Sequence, residues 1–318
     1  MNKPIKANSL LKTLAYNIAV HTARYSLRRP IAPIWNRLYR RLVKWNTPVI
    51  TQIHGHRVVL NSGYTYPLFI RRYPSLNYPL LELVHRAHEA LGRPLVFVDI
   101  GAAVGDTVLL IDTLCSGMVS QYICVDGDPE FFSYLEHNVG HLRNVICVNK
   151  LLSHSGRLER NLVRTHGGTA SAQGDHLVVA EPLDDVIGDG VIDVLKIDVD
   201  GFDGEVLGGA QRLLSKHQPF VIFEWHPILC EQTKNSDLRH FEHLSAAGYK
   251  KLVWFNKYGQ FSHFSDLNTD SISRLSEFCR ATKFFPDWHY DVVAIPENSR
   301  IDWLSLADLR FARTQKLY

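Results

Sequence analysis

Two stretches of this chain place carboxylates beside glycines in the pattern that a polar, cationic ligand requires. The first runs Val98-Asp99-Ile100-Gly101-Ala102-Ala103-Val104-Gly105-Asp106, an apolar run ending in a glycine-rich turn. Glycine at 101 and 105 lets a ligand approach the backbone with no Cβ in the way. A dinucleotide site favours G-x-G-x-x-G, whereas these glycines lie four apart with acids at both ends, which disfavours a phosphate and suits a cation rich in hydroxyls. Asp126, followed by Gly127, comes 21 residues after Gly105, where a carboxylate accepts both hydrogen bonds of a ribose diol. S-adenosylmethionine meets these demands, with a ribose, an amino-acid end and a sulfonium but no phosphate. The residues expected to hold it are Asp99, Gly101, Ala102, Gly105, Asp106, Asp126 and Gly127.

The second stretch runs Lys196-Ile197-Asp198-Val199-Asp200-Gly201, followed by Glu224-Trp225-His226. With the ligand above, the chemistry is an in-line displacement at a sulfonium methyl, which needs an acceptor oxygen aligned and its proton removed. Asp198, Glu224 and His226 are the expected catalytic residues, His226 because an imidazole titrates near neutrality. Lys196 is expected to support neighbouring acids, and His166-Gly167-Gly168 to border the acceptor or form a surface loop. Asp198 and Asp200 with Glu224 offer an alternative, a divalent ion that lowers the pKa of the acceptor hydroxyl. The same D-x-D spacing fits a metal-dependent glycosyltransferase using a nucleotide sugar, although the acids of the Asp99 to Gly105 turn stand where its diphosphate would lie.

Such residues need a sheet to carry them. Leu95 to Ile100, Gln121 to Val125, Val145 to Val148, Val194 to Ile197 and Phe220 to Phe223 are apolar throughout, as strands buried on both faces of a parallel sheet must be. Helices are expected at Tyr78 to Leu91, Thr107 to Leu114, Pro129 to Val139, Glu205 to Lys216 and around Asp237 to Ala247. Tyr249 to Phe255 and Tyr290 to Ile295 read as a closing antiparallel pair with a long irregular excursion between them, and residues 49–72 as a small hairpin around His54-Gly55-His56. The fold class is α/β, a mostly parallel Rossmann-like sheet ending in an antiparallel pair. Its expected divisions are a basic helical arm over 1–48, a hairpin and helix over 49–93, the main domain over 94–298 and a tail over 299–318.

The run Ile192-Asp193-Val194-Leu195-Lys196-Ile197-Asp198-Val199-Asp200-Gly201-Phe202-Asp203 continues to Val206-Leu207-Gly208-Gly209-Ala210 and Pro219-Phe220-Val221-Ile222-Phe223-Glu224. Together with Asp99-Ile100-Gly101-Ala102 and Pro182-Leu183-Asp184-Asp185, this resembles the FkbM-type methyltransferase family over roughly residues 95–296. The resemblance implies a Rossmann-like class I fold, S-adenosylmethionine as methyl donor and, usually, a hydroxyl acceptor on a sugar or a natural product; the basic arm over 1–48 extends the expected acceptors to a surface glycan or glycolipid. The chain departs from the family pattern where Glu-Pro is usual and Asp126-Gly127 stands, and where Glu is usual and Asp200 and Asp203 stand, each acid one methylene shorter.

The charges are segregated. Residues 1–81 hold no Asp or Glu but thirteen Lys and Arg, leaving 35 − 13 = 22 positive against 32 negative charges in residues 82–318. Ile31, Ile34, Trp35, Leu38, Leu42 and Trp45 recur at helical spacing with Arg37, Arg40, Arg41 and Lys44 between them, a basic amphipathic helix led by Pro30 and Pro33. Leu10, Leu11, Leu14 and Ile18 suggest an earlier helix, broken before Arg28 to Pro30. Residues 1–46 thus read either as a cap on the main domain or as an attachment to an anionic membrane surface. An organellar transit peptide shares this composition, Lys12 interrupts any secretory signal, and no nucleic-acid module follows. No apolar run approaches the roughly 20 residues of a membrane span. Five cysteines without C-x-x-C spacing suit reduced thiols and a cytoplasmic protein, with peripheral attachment at the inner membrane surface through the arm. A membrane-tethered scaffold without activity is the non-enzymatic alternative.

Overall fold

The structure, a computed structural model, describes residues 9–26, 31–160, 162–164, 170–171, 175–281 and 288–315. Pro30 and the His166 to Gly168 segment lie outside the described residues. In chain order the elements are α1 (Leu10–Thr22), α2 (Ile31–Lys44), β1 (Pro48–Ile53), β2 (His56–Asn61), α3 (Tyr66–Arg72), α4 (Tyr78–Leu91), β3 (Leu95–Ile100), α5 (Asp106–Leu114), β4 (Val119–Asp126), α6 (Pro129–Val139) and β5 (Val145–Asn149). Then come the short strands β6 (Leu151–Leu152), β7 (Arg157–Arg160), β8 (Val163–Arg164), β9 (Ala170–Ser171) and β10 (Leu177–Glu181). The rest are α7 (Leu183–Ile187), β11 (Val194–Ile197), α8 (Asp203–Gly208), α9 (Gln211–His217), β12 (Phe220–Trp225), α10 (Pro227–Thr233), α11 (Arg239–Ala246), β13 (Tyr249–Asn256), β14 (Phe261–Asp266), α12 (Thr269–Ala281), β15 (Tyr290–Pro296) and α13 (Arg310–Thr314).

The central sheet has eight strands in the order β14-β13-β15-β12-β11-β3-β4-β5. β5, β4, β3, β11 and β12 run parallel, and β15 inserts antiparallel between β12 and β13. The chain leaves β3 in one direction through β4 and β5, then returns to build β11 and β12 on the other side. β3 and β11 therefore form the switch point of the sheet, outside whose carboxyl ends open α/β sheets bind ligands.

Apolar strands are buried on both faces: Phe97, Val98, Val194, Leu195, Ile197 and Val221 are all inaccessible. On one face α4, α5 and the C-terminal segment pack on the sheet; Ala312 N–H of α13 donates to Glu82 of α4 at 3.1 Å. On the other, α8, α9 and α11 cover β11 to β13. A third cluster joins Tyr16, Ala19 and Val20 of α1 and Trp35 and Leu42 of α2 to the β1–β2 hairpin and to Leu109 and Phe131 of the body.

Three expectations are revised. The hairpin spans 48–61 and so takes in only the first part of the 49–72 stretch, turning at His54 (φ 51°) and Gly55 (φ 86°), and Pro67 near the start of the following segment favours the helix α3. The helix expected over Glu205 to Lys216 is two helices, because Gly209 packs against the Ser153 carbonyl, 2.3 Å from where a Cβ would stand. The excursion between the last two expected strands is ordered: β14 extends the sheet edge and α12 follows it.

Candidate functional site

The carboxyl ends of β3, β4 and β11 border one cleft with two lobes that share Gly101, Ala103, Asp198 and Asp200. The first lobe has a water-accessible volume of about 100 Å³ and opens to solvent at its mouth. Its polar wall includes Asp126, Asp128, Lys150 and Ser153, with Gly127 beside them, and its apolar wall includes Phe131, Leu151, Leu152 and Phe202.

Asp126 ends β4. Its Oδ2 accepts from Ala103 N–H at 2.7 Å and its Oδ1 from Asp128 N–H at 2.8 Å, so each oxygen keeps a lone pair for a further donor. Burial, opposed by those two hydrogen bonds, pushes its pKa up to about 7. Ala103 adopts φ 45° to make its contact, and the turn around it rests on left-handed glycines on both sides. Gly101 (φ 77°) sits where a Cβ would lie 1.9 Å from the Asp198 carbonyl oxygen, and at Gly105 (φ 85°) one would lie 2.6 Å from Val139. The glycines were expected to admit a ligand. Their closest constraints are instead protein packing, of β3 on the end of β11 and of the turn on α6, although Gly101 also lines both lobes.

Two further expectations shift. Ala102 is 2% exposed and belongs to the core; it does not line either lobe. Asp99, fully buried, acts from below. The parallel register sets it opposite Lys196, whose Nζ lies 3.1 Å from Asp99 Oδ1 and 3.5 Å from Asp198 Oδ2. Burial pulls the Lys196 pKa down, but Asp99 and Asp198 outweigh it and hold the group above the ordinary lysine value. Burial also raises Asp99, more than Lys196 lowers it, and its Oδ2 has no hydrogen-bond partner.

The second lobe is the charged one. Asp106 opens α5 and accepts from the Tyr64 hydroxyl at 2.7 Å; burial, offset by that bond, brings its pKa to about 6. Asp198, Asp200, Glu224, Asp291, Lys196, Lys257 and His289 also line this lobe. His289 Nε2 stands 3.3 Å from Glu224 Oε2. Burial and then the neighbouring acids Asp198, Asp200, Asp203 and Asp291 drive the Glu224 pKa well up, and burial carries Asp291 to about 7.

His226 is not at this lobe. It is 5% exposed, its Nδ1 accepts from Leu229 N–H at 3.3 Å as the cap of α10, and its ring stacks on His289 at 4.8 Å. The imidazole that lines the cleft is His289, which sequence reasoning missed along with Asp291, Tyr64 and Lys257. A signal existed: an antiparallel strand begins where its parallel neighbours end, so the residues opening β15 lie beside the end of β12, and Asp291 pairs with Glu224. The divalent-ion alternative through Asp198 and Asp200 also finds no support, since no group of three or more His, Cys, Asp or Glu is placed to hold a metal among the described residues. The Asp198 carboxylate instead faces Lys196.

The residues fit S-adenosylmethionine. Asp126 has spare acceptors for a ribose, Phe131 and the leucines offer apolar cover for a base, and carboxylates crowd the junction where a sulfonium and an ammonium would sit. Residues 99–251 match the family model for the methyltransferase FkbM domain. No curated protein matches the chain. Among solved structures, the methyltransferase FkbM of Methylobacillus flagellatus KT is similar at 14% identity and TM-score 0.42, over 87% of this chain and 58% of that one. The chain thus spans little more than half that protein's length. A precorrin-6y C5,15-methyltransferase of Geobacter metallireducens GS-15 is similar at 17% identity and TM-score 0.35, over 68% of this chain and 87% of that one. TYW2 of M. jannaschii, solved in complex with AdoMet, is similar at 15% identity and TM-score 0.40, over 78% and 84%. The family-model match, over just under half of the chain, supports a methyltransferase activity of the S-adenosylmethionine-dependent class. This match favours methyl transfer over the nucleotide-sugar alternative.

Proposed function

We propose that this chain is an O-methyltransferase acting on a hydroxyl of a glycan, glycolipid or natural product, working in the cytoplasm at an anionic inner membrane surface that residues 1–46 engage. The observation that carries it is the two-lobed cleft, with Asp126 and an apolar wall in one lobe, Glu224 and His289 in the other, and Gly101 and Asp198 common to both. S-adenosylmethionine supplies the activated methyl group. Asp126 holds the ribose diol with Gly101, Gly105 and Gly127 shaping its turn, and Asp106 with Asp99 fixes the charge balance around Lys196. Asp198 orients the acceptor hydroxyl from the junction. Glu224 and His289, 3.3 Å apart, act as one unit that takes the hydroxyl proton, and His226 steadies the His289 ring by stacking. Hydroxyl-rich acceptors suit a lobe whose carboxylates accept hydrogen bonds and whose Lys257 donates one.

Incubation with methyl-labelled S-adenosylmethionine and membrane or glycan extracts tests this reading. Label in carbohydrate or lipid that survives mild alkali, as an ether does, is the expected result. Label released as methanol would mark a carboxyl ester and overturn the hydroxyl assignment.

A further inference from the structure

The two N-terminal helices have one committed face and one uncovered face. On α1, Tyr16, Ala19 and Val20 are at most 1% exposed, whereas Leu10, Leu11, Leu14 and Ile18 are 85, 78, 56 and 51% exposed. Positions 10, 11, 14 and 18 share a side of a helix, so these four form a stripe rather than a scatter. α2 repeats the division: Trp35 and Leu42 are buried, while Ile31 and Ile34 are 43% and 75% exposed and Arg37, Arg40, Arg41 and Lys44 are exposed beside them. None of those four cations forms an ion pair among the described residues. The Lys12 ammonium, 5.9 Å from the Trp45 ring, ties the apolar start of α1 to the basic end of α2. One face of these helices thus acts as the cap read from the sequence, and the other is left uncovered.

We propose that this outer face docks on an anionic lipid surface, the leucines and isoleucines entering the headgroup boundary and the arginines meeting lipid phosphates. A lipid surface is the occupant that uses both features. Two copies paired symmetrically through this face would set the Arg40 and Arg41 cluster against itself, and a nucleic acid would leave the aliphatic stripe unused. The docking unit also reaches the cleft: the Tyr16 hydroxyl donates to the Tyr64 carbonyl at 2.7 Å, and the Tyr64 hydroxyl donates to Asp106 in the charged lobe. This deepens the membrane part of the proposed function and rests on charge and burial of the helices, not on methyl transfer.

The test is cosedimentation of the full chain with phosphatidylcholine vesicles, with and without phosphatidylglycerol, at low and high salt. Binding should need phosphatidylglycerol and fall with salt. Arg40→Glu with Arg41→Glu, and separately Leu11→Gln with Leu14→Gln, should each lower partitioning about tenfold or more, since each cation near such a surface contributes on the order of 1 kcal/mol. S-adenosylhomocysteine affinity in every variant should equal that of the wild type, which reports an intact body. Partitioning unaffected by either pair would overturn the proposal. So would a leucine variant that turns a dimer into a monomer without vesicle binding, or a gel shift of duplex DNA in place of vesicle binding. Failure of the wild type to bind S-adenosylhomocysteine would count against methyl transfer and leave the vesicle result to stand by itself.

Discussion

In the proposed site Asp126 is the group on which cofactor binding should depend most, so Asp126→Ala is the variant expected to weaken it. Both carboxylate oxygens are anchored to backbone N–H groups at 2.7 and 2.8 Å, which fixes the remaining lone pairs in the cleft before any ligand arrives. Two charge-assisted bonds to a ribose diol, less what water would replace, come to about 3 kcal/mol, or about a hundredfold in affinity for S-adenosylhomocysteine. The sign of the pH effect follows from burial, which raises this carboxyl to about 7 in the ligand-free protein. The diol needs the ionised form, so binding releases a proton below that pH, and affinity falls by about tenfold per unit as pH drops beneath 7 and levels above it. Asp106, raised only to about 6, titrates lower, whereas Asp291 of the charged lobe titrates in the same interval as Asp126, between pH 6 and about 8, so the part of the pH slope that belongs to Asp126 is the part lost in Asp126→Ala. Calorimetric titration of wild type and Asp126→Ala across that interval measures both effects. Equal affinity in the two proteins, or the same pH slope in both, would refute the ribose assignment.

Gly101→Ala should abolish S-adenosylhomocysteine binding and lower the urea midpoint, because the new Cβ would stand 1.9 Å from the Asp198 carbonyl oxygen at a φ of 77°; a variant of wild-type affinity and stability contradicts the packing described. Lys196→Met leaves Asp99 fully buried without its cation and should cost about 3 to 5 kcal/mol in urea unfolding, much of it recovered by adding Asp99→Asn; a loss below about 1 kcal/mol would show that the pair is not structural. His289→Gln should change S-adenosylhomocysteine affinity by less than about twofold, since the ring lines only the charged lobe; a large loss, checked by the same titration, would move His289 to the cofactor.

What the sequence made legible follows periodicity. The parallel strands are continuous apolar runs, and Pro129 to Val139 coincides with α6 because Asp128 caps it and Gly140 follows it. Asp126, Asp198 and Glu224 were visible because they end such strands, the one place an α/β sheet exposes a side chain to a ligand. His226 was misplaced because the same position beyond a strand also serves as a helix cap, and one residue type answers both demands. His289 and Tyr64 were invisible for another reason: they reach the cleft from the residue before β15 and from the segment after the hairpin, brought there by pairings no local pattern encodes. Ala102 illustrates the converse, a residue inside a recognisable motif whose side chain faces the core. The exposed stripe on α1 was seen as apolar spacing, but only the packing of Tyr16 and Val20 shows which side of that helix is covered.

The most direct test of the central claim is titration of the purified chain with S-adenosylhomocysteine, in parallel with a nucleoside diphosphate sugar and Mn²⁺. Micromolar binding of the first alone, on the order of −8 kcal/mol, is the result this account predicts. Binding of the sugar nucleotide alone, or of neither, would contradict it.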